Sequence, residues 1–172
     1  MAILNVTLYP DEPLVSVADP IPSVTPKIMK LANDMFDTML EYEGVGLAAP
    51  QVGVSKRIFV LCEPEQAQQM CLINPVIMES DGREVGEEGC LSLPSIYAEV
   101  PRAARLRVQA INEKGEHLDF RAKGLLARII QHELDHLNGV IFLDRVDLLT
   151  RQDKLTEWEA CRQRHFETVK ER

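Results

Sequence analysis

No apolar run in this 172-residue chain approaches the roughly 20 residues needed to cross a bilayer, so a helical membrane protein is not expected. The opening Met1-Ala2-Ile3-Leu4-Asn5-Val6 lacks a basic stretch followed by an apolar core; no secretory signal is read there, and a cytosolic location is expected. Positive charge is also short. Nineteen Lys and Arg stand against 27 Asp and Glu, and a formal net charge of −8 argues against general affinity for nucleic acid or an anionic membrane. The four cysteines (Cys62, Cys71, Cys90 and Cys161) have no paired spacing. In a reducing cytosol Cys62, Cys71 and Cys161 are expected to act as small buried hydrophobes. No repeat, low-complexity tract or Gly/Ser-rich linker divides the chain, so residues 1–172 read as one domain with a sizeable core.

The elements that can be read are of mixed type. Pro10, Pro13, Pro20 and Pro22 predict an irregular start wrapped on the surface. Thr25-Pro26 supplies a cap and a first-turn proline, Ile28, Leu31, Met35 and Met39 recur at helical spacing, and Gly44 offers a stop after Glu43. Arg57–Cys62 and Cys71–Val76 have strand composition. Leu106-Val108-Ala110 alternates before Asn112-Glu113-Lys114-Gly115, which predicts a hairpin returning through 116–121. A second helix is expected over 124–138, with Gly139 as its left-handed terminator. A last helix is placed at about 148–172, capped by Thr150-x-x-Asp153, with Leu155, Trp158, Arg162 and Phe166 or Val169 as its inner stripe. This order suggests an α+β fold: antiparallel β-sheets around a central helix, with an N-terminal helix and a long C-terminal one.

Histidine is scarce too, four in all, yet two of the four stand in Gln131-His132-Glu133-Leu134-Asp135-His136. Four residues along a helix is about 40° of rotation and roughly 6 Å of rise, so both rings leave from one face. Two neutral imidazoles can share a metal ion, and Glu133 can reach a water beside it as a general base. The bland alternative is a pair of polar residues on a solvated helix. Leu125 and Ile129 fall on the same face as the histidines, which puts the site on the buried side.

A catalytic site of this kind needs a third protein ligand. The metzincin pattern would put a histidine at 142, which is Phe142, so that arrangement is excluded. A second protease class uses a downstream glutamate; Glu157 and Glu159 stand at a workable separation, although helical spacing favours them as partners of nearby basic residues. Cys90, in Glu88-Gly89-Cys90-Leu91-Ser92, offers a thiolate, but alone the segment reads better as holding a buried structural cysteine. A third segment, Gly44-Val45-Gly46-Leu47-Ala48-Ala49-Pro50-Gln51, is small and Gly-rich. It would let a substrate backbone pair closely, and Gln51 offers an N–H donor to a developing oxyanion. Alone, it reads as a turn after the first helix.

Together, in this order and spacing, residues 44–51, 88–92 and 131–136 resemble the three motifs of the peptide deformylases, G-φ-G-φ-A-A-x-Q, E-G-C-φ-S and Q-H-E-φ-D-H. The stretch beyond the third motif is similar to the bacterial type with a final long helix. The resemblance implies Cys90, His132 and His136 as metal ligands and Glu133 as general base and then general acid. It implies Gln51 and the backbone N–H of Leu91 as the oxyanion site, and Gly46 as a hydrogen-bond partner of the substrate backbone. The implied substrate is the formyl-methionine end of a new polypeptide, releasing formate. The implied ion is Fe²⁺, with Zn²⁺, Ni²⁺ or Co²⁺ able to occupy the site. Val45, Leu125 and Ile129 are expected to line a pocket for the methionine side chain. A monomer in the bacterial cytoplasm is expected, with no membrane contact and no direct nucleic-acid specificity. The last helix, with six basic and five acidic residues between Arg151 and Arg172, is expected to make a weak ribosome contact. Two departures, Val15 after Leu14 and Ser95 after Leu93-Pro94, fall outside the reacting groups.

Overall fold

The structure is a computed structural model that describes the backbone of residues 2–170 and side-chain surroundings through residue 164. It is α+β, as expected. Helix α1 (Pro26–Glu41) is followed by strands β1 (Gly46–Ala48), β2 (Ile58–Glu63), β3 (Gln68–Asp81), β4 (Glu84–Cys90), β5 (Leu93–Arg102), β6 (Arg105–Ile111) and β7 (His117–Lys123). Helices α2 (Gly124–Leu137) and α3 (Leu148–Lys170) complete the chain. Among the described residues no helix is long and apolar enough to cross a membrane.

Five strands form one antiparallel sheet in the order β1-β2-β3-β6-β7, so β1 lies at an edge. Strand β2 is buried on both faces, and its period of two divides the core. Ile58 and Val60 join Met35 and Met39 of α1, while Phe59 and Leu61 join Ala127, Ile130 and Leu137 of α2. The sheet is therefore covered by α1 on one face and α2 on the other. Strands β4 and β5 form a separate two-stranded sheet. Ile96, Ala98 and Val100 of this hairpin pack with Phe142, Leu143 and Trp158, the last contributed by α3. The indole N–H of Trp158 donates to the Tyr9 carbonyl at 3.0 Å.

Several boundaries differ from expectation. Thr25 caps α1 as predicted, accepting the Ile28 N–H at 3.3 Å, but the residue that turns left-handed after the helix is Glu43 (φ 54°), not Gly44. Gly44 is small because a Cβ there would stand 3.1 Å from Leu91 Cδ1. Gly139 (φ 71°) ends α2 as expected. Helix α3 starts two residues before Thr150, because the cap is Asp147, which accepts the Thr150 N–H at 2.9 Å and its hydroxyl at 2.7 Å. Leu155, Trp158 and Arg162 of the expected stripe are at least partly buried; the Phe166 and Val169 side chains and residues 171–172 lie outside the described residues. The proline-punctuated start is irregular but not superficial: Leu14, Ala18 and Ile21 are buried, and the Thr7 and Tyr9 N–H groups donate to the carbonyls of Gln51 and Ser92.

Candidate metal centre

The hairpin and α2 bring together the groups that the sequence singled out. His132 and His136 project from successive turns of α2, and Cys90 closes β4 opposite them. One donor atom from each of the three falls within 4.8 Å of the others, and Cys90 Sγ lies 3.3 Å from His136 Nε2. Around one tetrahedral ion, with sulfur at about 2.3 Å and nitrogen at about 2.0–2.1 Å, such donors sit about 3.5 Å apart, so the set fits a divalent transition metal. Cys90 stands two residues after Glu88 on β4, so strand alternation turns both toward α2, and the ladder with β5 is irregular between Gly89 and Cys90. Glu157 and Glu159 are exposed on α3, the former 3.5 Å from Lys154, far from any role as a third ligand.

Glu133 is buried against Gly46. A Cβ on residue 46 would come within 2.5 Å of Glu133 Oε1, so only glycine leaves room for this carboxylate beside the edge strand. Glu133 Oε2 is buried with no hydrogen-bond partner among the described residues, which suits an oxygen whose partner is a reacting molecule. Burial drives its pKa up to about 7, with the His132 charge partly opposing. A carboxyl group at that value can both accept and return a proton near neutrality.

Gln51 sits in a short 3₁₀ helix (Ala49–Val52) just after β1. Its carbonyl oxygen accepts the Ala48 N–H at 2.9 Å, which commits its NH₂ group to the other side, toward Ser92 Oγ (3.2 Å) and Cys90 Sγ (3.5 Å). A donor fixed in this way costs no reorganisation when negative charge develops nearby. Gln51, Leu91, Val45, Gly46, Leu125 and Ile129 all line one cavity of about 750 Å³ that reaches His132 and Glu133. Ile129 is buried, whereas Leu125 and Val45 are partly exposed at the rim.

Sequence reasoning assigned no role to the groups behind the ligands. His132 Nδ1 lies 2.8 Å from Glu88 Oε1, which leaves Nε2 as the face turned to the metal position. Burial pushes the Glu88 carboxyl up, but the Arg102 guanidinium and the His132 imidazole more than offset this and hold it at about 2. Arg102, itself buried, binds Glu88 through two nitrogens at 2.9 Å and Asp135 at 2.6 Å. Asp135 also accepts from Arg145 at 2.7 Å. Burial disfavours charge on both histidines. Cys90 and Glu88 nevertheless raise the pKa of His132 well above its ordinary value, while His136, facing that charge, falls well below its own. Phe142, at the position a metzincin gives to histidine, stacks on His132 with ring centroids 6.0 Å apart. Gln131 pairs with the backbone of Ala103 through both ends of its amide, each at 2.9 Å. The carboxylates Glu88 and Asp135, each inside one of the three motifs, were the available signals for this network.

A sequence-family model described as Polypeptide deformylase matches residues 3–152. The chain is 48% identical to Peptide deformylase of Neisseria gonorrhoeae (strain ATCC 700825 / FA 1090) over 166 residues, 96% of this chain and 99% of that one. It is 42% identical to Peptide deformylase 1 of Bacillus subtilis (strain 168), over 93% of this chain and 100% of that one. Its fold superposes on a crystal structure of a peptide deformylase from Legionella pneumophila with a TM-score of 0.89 at 38% identity, covering 95% of this chain and 98% of the other.

Metal titration distinguishes the two candidate third ligands. The protein is expected to bind one equivalent of Zn²⁺ or Co²⁺, Cys90→Ala to weaken binding by at least a hundredfold, and Glu157→Gln and Glu159→Gln to leave it unchanged. Loss of the metal in either glutamine variant would return the site to the peptidase class.

Proposed function

The chain belongs to the polypeptide deformylase family, and on that premise we propose how its own residues divide the work. The enzyme is a metal-dependent hydrolase that removes the formyl group from the N-terminal formyl-methionine of new polypeptides and releases formate. The observation that carries the residue assignment is the convergence of Cys90, His132 and His136 beside a buried, partly unpartnered Glu133.

Cys90, His132 and His136 hold the ion. A divalent ion there supplies Lewis acidity, lowering the pKa of water from 15.7 toward about 7. Glu133 takes the proton from the attacking water as its oxygen adds to the formyl carbon. The Gln51 NH₂ and the Leu91 backbone N–H donate to the oxyanion of the tetrahedral adduct. Glu133 then gives the proton to the α-amine, the C–N bond breaks, and formate departs. The free edge of β1 supports a role for Gly46 in pairing with the substrate backbone, as an added strand would. Val45, Leu125 and Ile129 offer apolar walls for the methionine side chain. Discrimination against acetyl groups, which carry a methyl where formyl carries only hydrogen, is then steric.

The proposed resident ion is Fe²⁺, with Zn²⁺, Ni²⁺ or Co²⁺ as substitutes. The proposal also includes a monomer in the bacterial cytoplasm, where chains leave the ribosome formylated, and a weak ribosome contact through α3. Because Trp158 anchors α3 in the core, the contact is tested by charge rather than by truncation. Lys154, Arg164 and Lys170 changed to Glu should reduce co-sedimentation with ribosomes, and equal pelleting would contradict the contact.

Anaerobic assay of formate release from a formyl-Met peptide tests the reaction. The metallated wild type should release formate, Glu133→Ala should be slowed by 10²-fold or more, and an N-acetyl peptide should be essentially inert. Comparable turnover of the acetyl peptide would refute the steric argument, and absence of release by the wild type would refute the assignment. Protein purified anaerobically should lose activity on exposure to peroxide if iron is resident; unchanged activity would count against iron.

A further inference from the structure

Arg128 stands one helical turn before His132 on α2 and reaches across to the hairpin that carries Cys90. Its Nη1 donates to Glu88 Oε2 at 2.6 Å and to the Val100 carbonyl at 2.8 Å, and its Nη2 donates to the Glu84 carbonyl at 3.0 Å. Glu84 lies on β4 and Val100 on β5, so one guanidinium ties both strands of the hairpin to the helix. It lies on Gly86, the partner of Val100 in the ladder, where an added Cβ would stand 3.2 Å from its Cζ and Nε. The hairpin shares no ladder with the five-stranded sheet, so its placement against α2 depends on side-chain contacts of this kind. Two of the metal ligands are on the helix and the third is on the hairpin.

We propose that Arg128 is a positioning residue for the metal site: it clamps the β4–β5 hairpin to α2 so that the Cys90 thiolate meets His132 and His136 at a preset distance. The inference rests on the Cys-His-His reading above. Arg128 touches no reacting atom in this role; it acts through Cys90 and Glu88. Glu88 has four donors for its two oxygens: Arg102 Nη2 and His132 Nδ1 on Oε1, Arg102 Nε and Arg128 Nη1 on Oε2. Removing Arg128 therefore leaves Glu88 still paired with Arg102 and still orienting His132. What is lost is the tie to the strands. Arg102 serves the reverse connection, from β5 to Asp135 on α2, but its removal would strand two buried carboxylates and confound any test.

The test is competition between the protein and a chromophoric chelator for Co²⁺ under anaerobic conditions, with the sulfur-to-cobalt charge-transfer band and the thermal midpoint recorded alongside. Arg128→Met, which keeps length without donors, should bind Co²⁺ about ten- to a hundredfold more weakly, as loss of an outer-shell partner does. Its charge-transfer band should shift, and its KM at saturating metal should stay near that of the wild type. Arg128→Lys, which keeps the charge on Glu88 but cannot fork to both strands, should fall between. If Arg128→Met does not fold, Gly86→Ala decides by the same readout, because the new methyl pushes on the guanidinium; several-fold weaker binding is expected. Cobalt affinity within twofold of wild type in whichever variant folds overturns the proposal, even if the thermal midpoint drops. Failure of the wild type itself to bind Co²⁺ with a sulfur band would instead overturn the Cys-His-His reading.

Discussion

Glu88 is buried with two donors on each carboxylate oxygen, and the β4–β5 hairpin and α2 meet on it. Arg102 comes from its own hairpin, Arg128 and His132 come from α2, and Asp135, one turn beyond His132, holds Arg102 from the far side. Burying so much charge is favourable only because every lone pair is used, and leaving such a buried charge without a counter-charge typically costs about 3–5 kcal/mol. The geometry of the hairpin against α2 is therefore fixed by a condition with few solutions. His132 inherits its tautomer from that condition, and Cys90, two residues along the strand from Glu88, inherits its position.

The remaining chemistry is arranged around the same junction. The edge position of β1 brings Gly46 against Glu133, and the missing side chain at residue 46 is what allows a carboxylate to occupy the floor of the cavity. Gln51, held by the Ala48 N–H, turns its donor toward Cys90 and Ser92 and so faces the hairpin rather than solvent. Base, oxyanion donor and ligands thus come from three separate stretches of chain, each held by a local rule of backbone geometry or hydrogen bonding. The cavity they share has apolar walls with a few convergent polar groups, the composition expected of a small-ligand site.

The sequence made the helical parts of this legible. Thr25-Pro26, Gly139 and the spacing of His132 and His136 each correspond to a local physical requirement, and the structure shows each where the pattern put it. The β4–β5 hairpin was not legible. Pro94 and Pro101 interrupt a strand whose buried face (Ile96, Ala98, Val100) continues into the charged Arg102, and the β4–β5 pairing is irregular next to the ligand Cys90. Glu43 taking the left-handed turn in place of Gly44 shows a tertiary contact overriding a local preference: Gly44 is reserved for packing against Leu91. The carboxylate network behind His132 was invisible for a similar reason, since its members lie 14 to 44 residues apart and are joined only by the fold.

The central claim is that one ion is held by a thiolate from the hairpin and two imidazoles from α2. X-ray absorption at the metal edge of the zinc-loaded protein measures that coordination directly. The account predicts one sulfur at about 2.3 Å with two imidazole nitrogens at about 2.0–2.1 Å, leaving a position open to water. A first shell of nitrogen and oxygen alone, without sulfur, would contradict it.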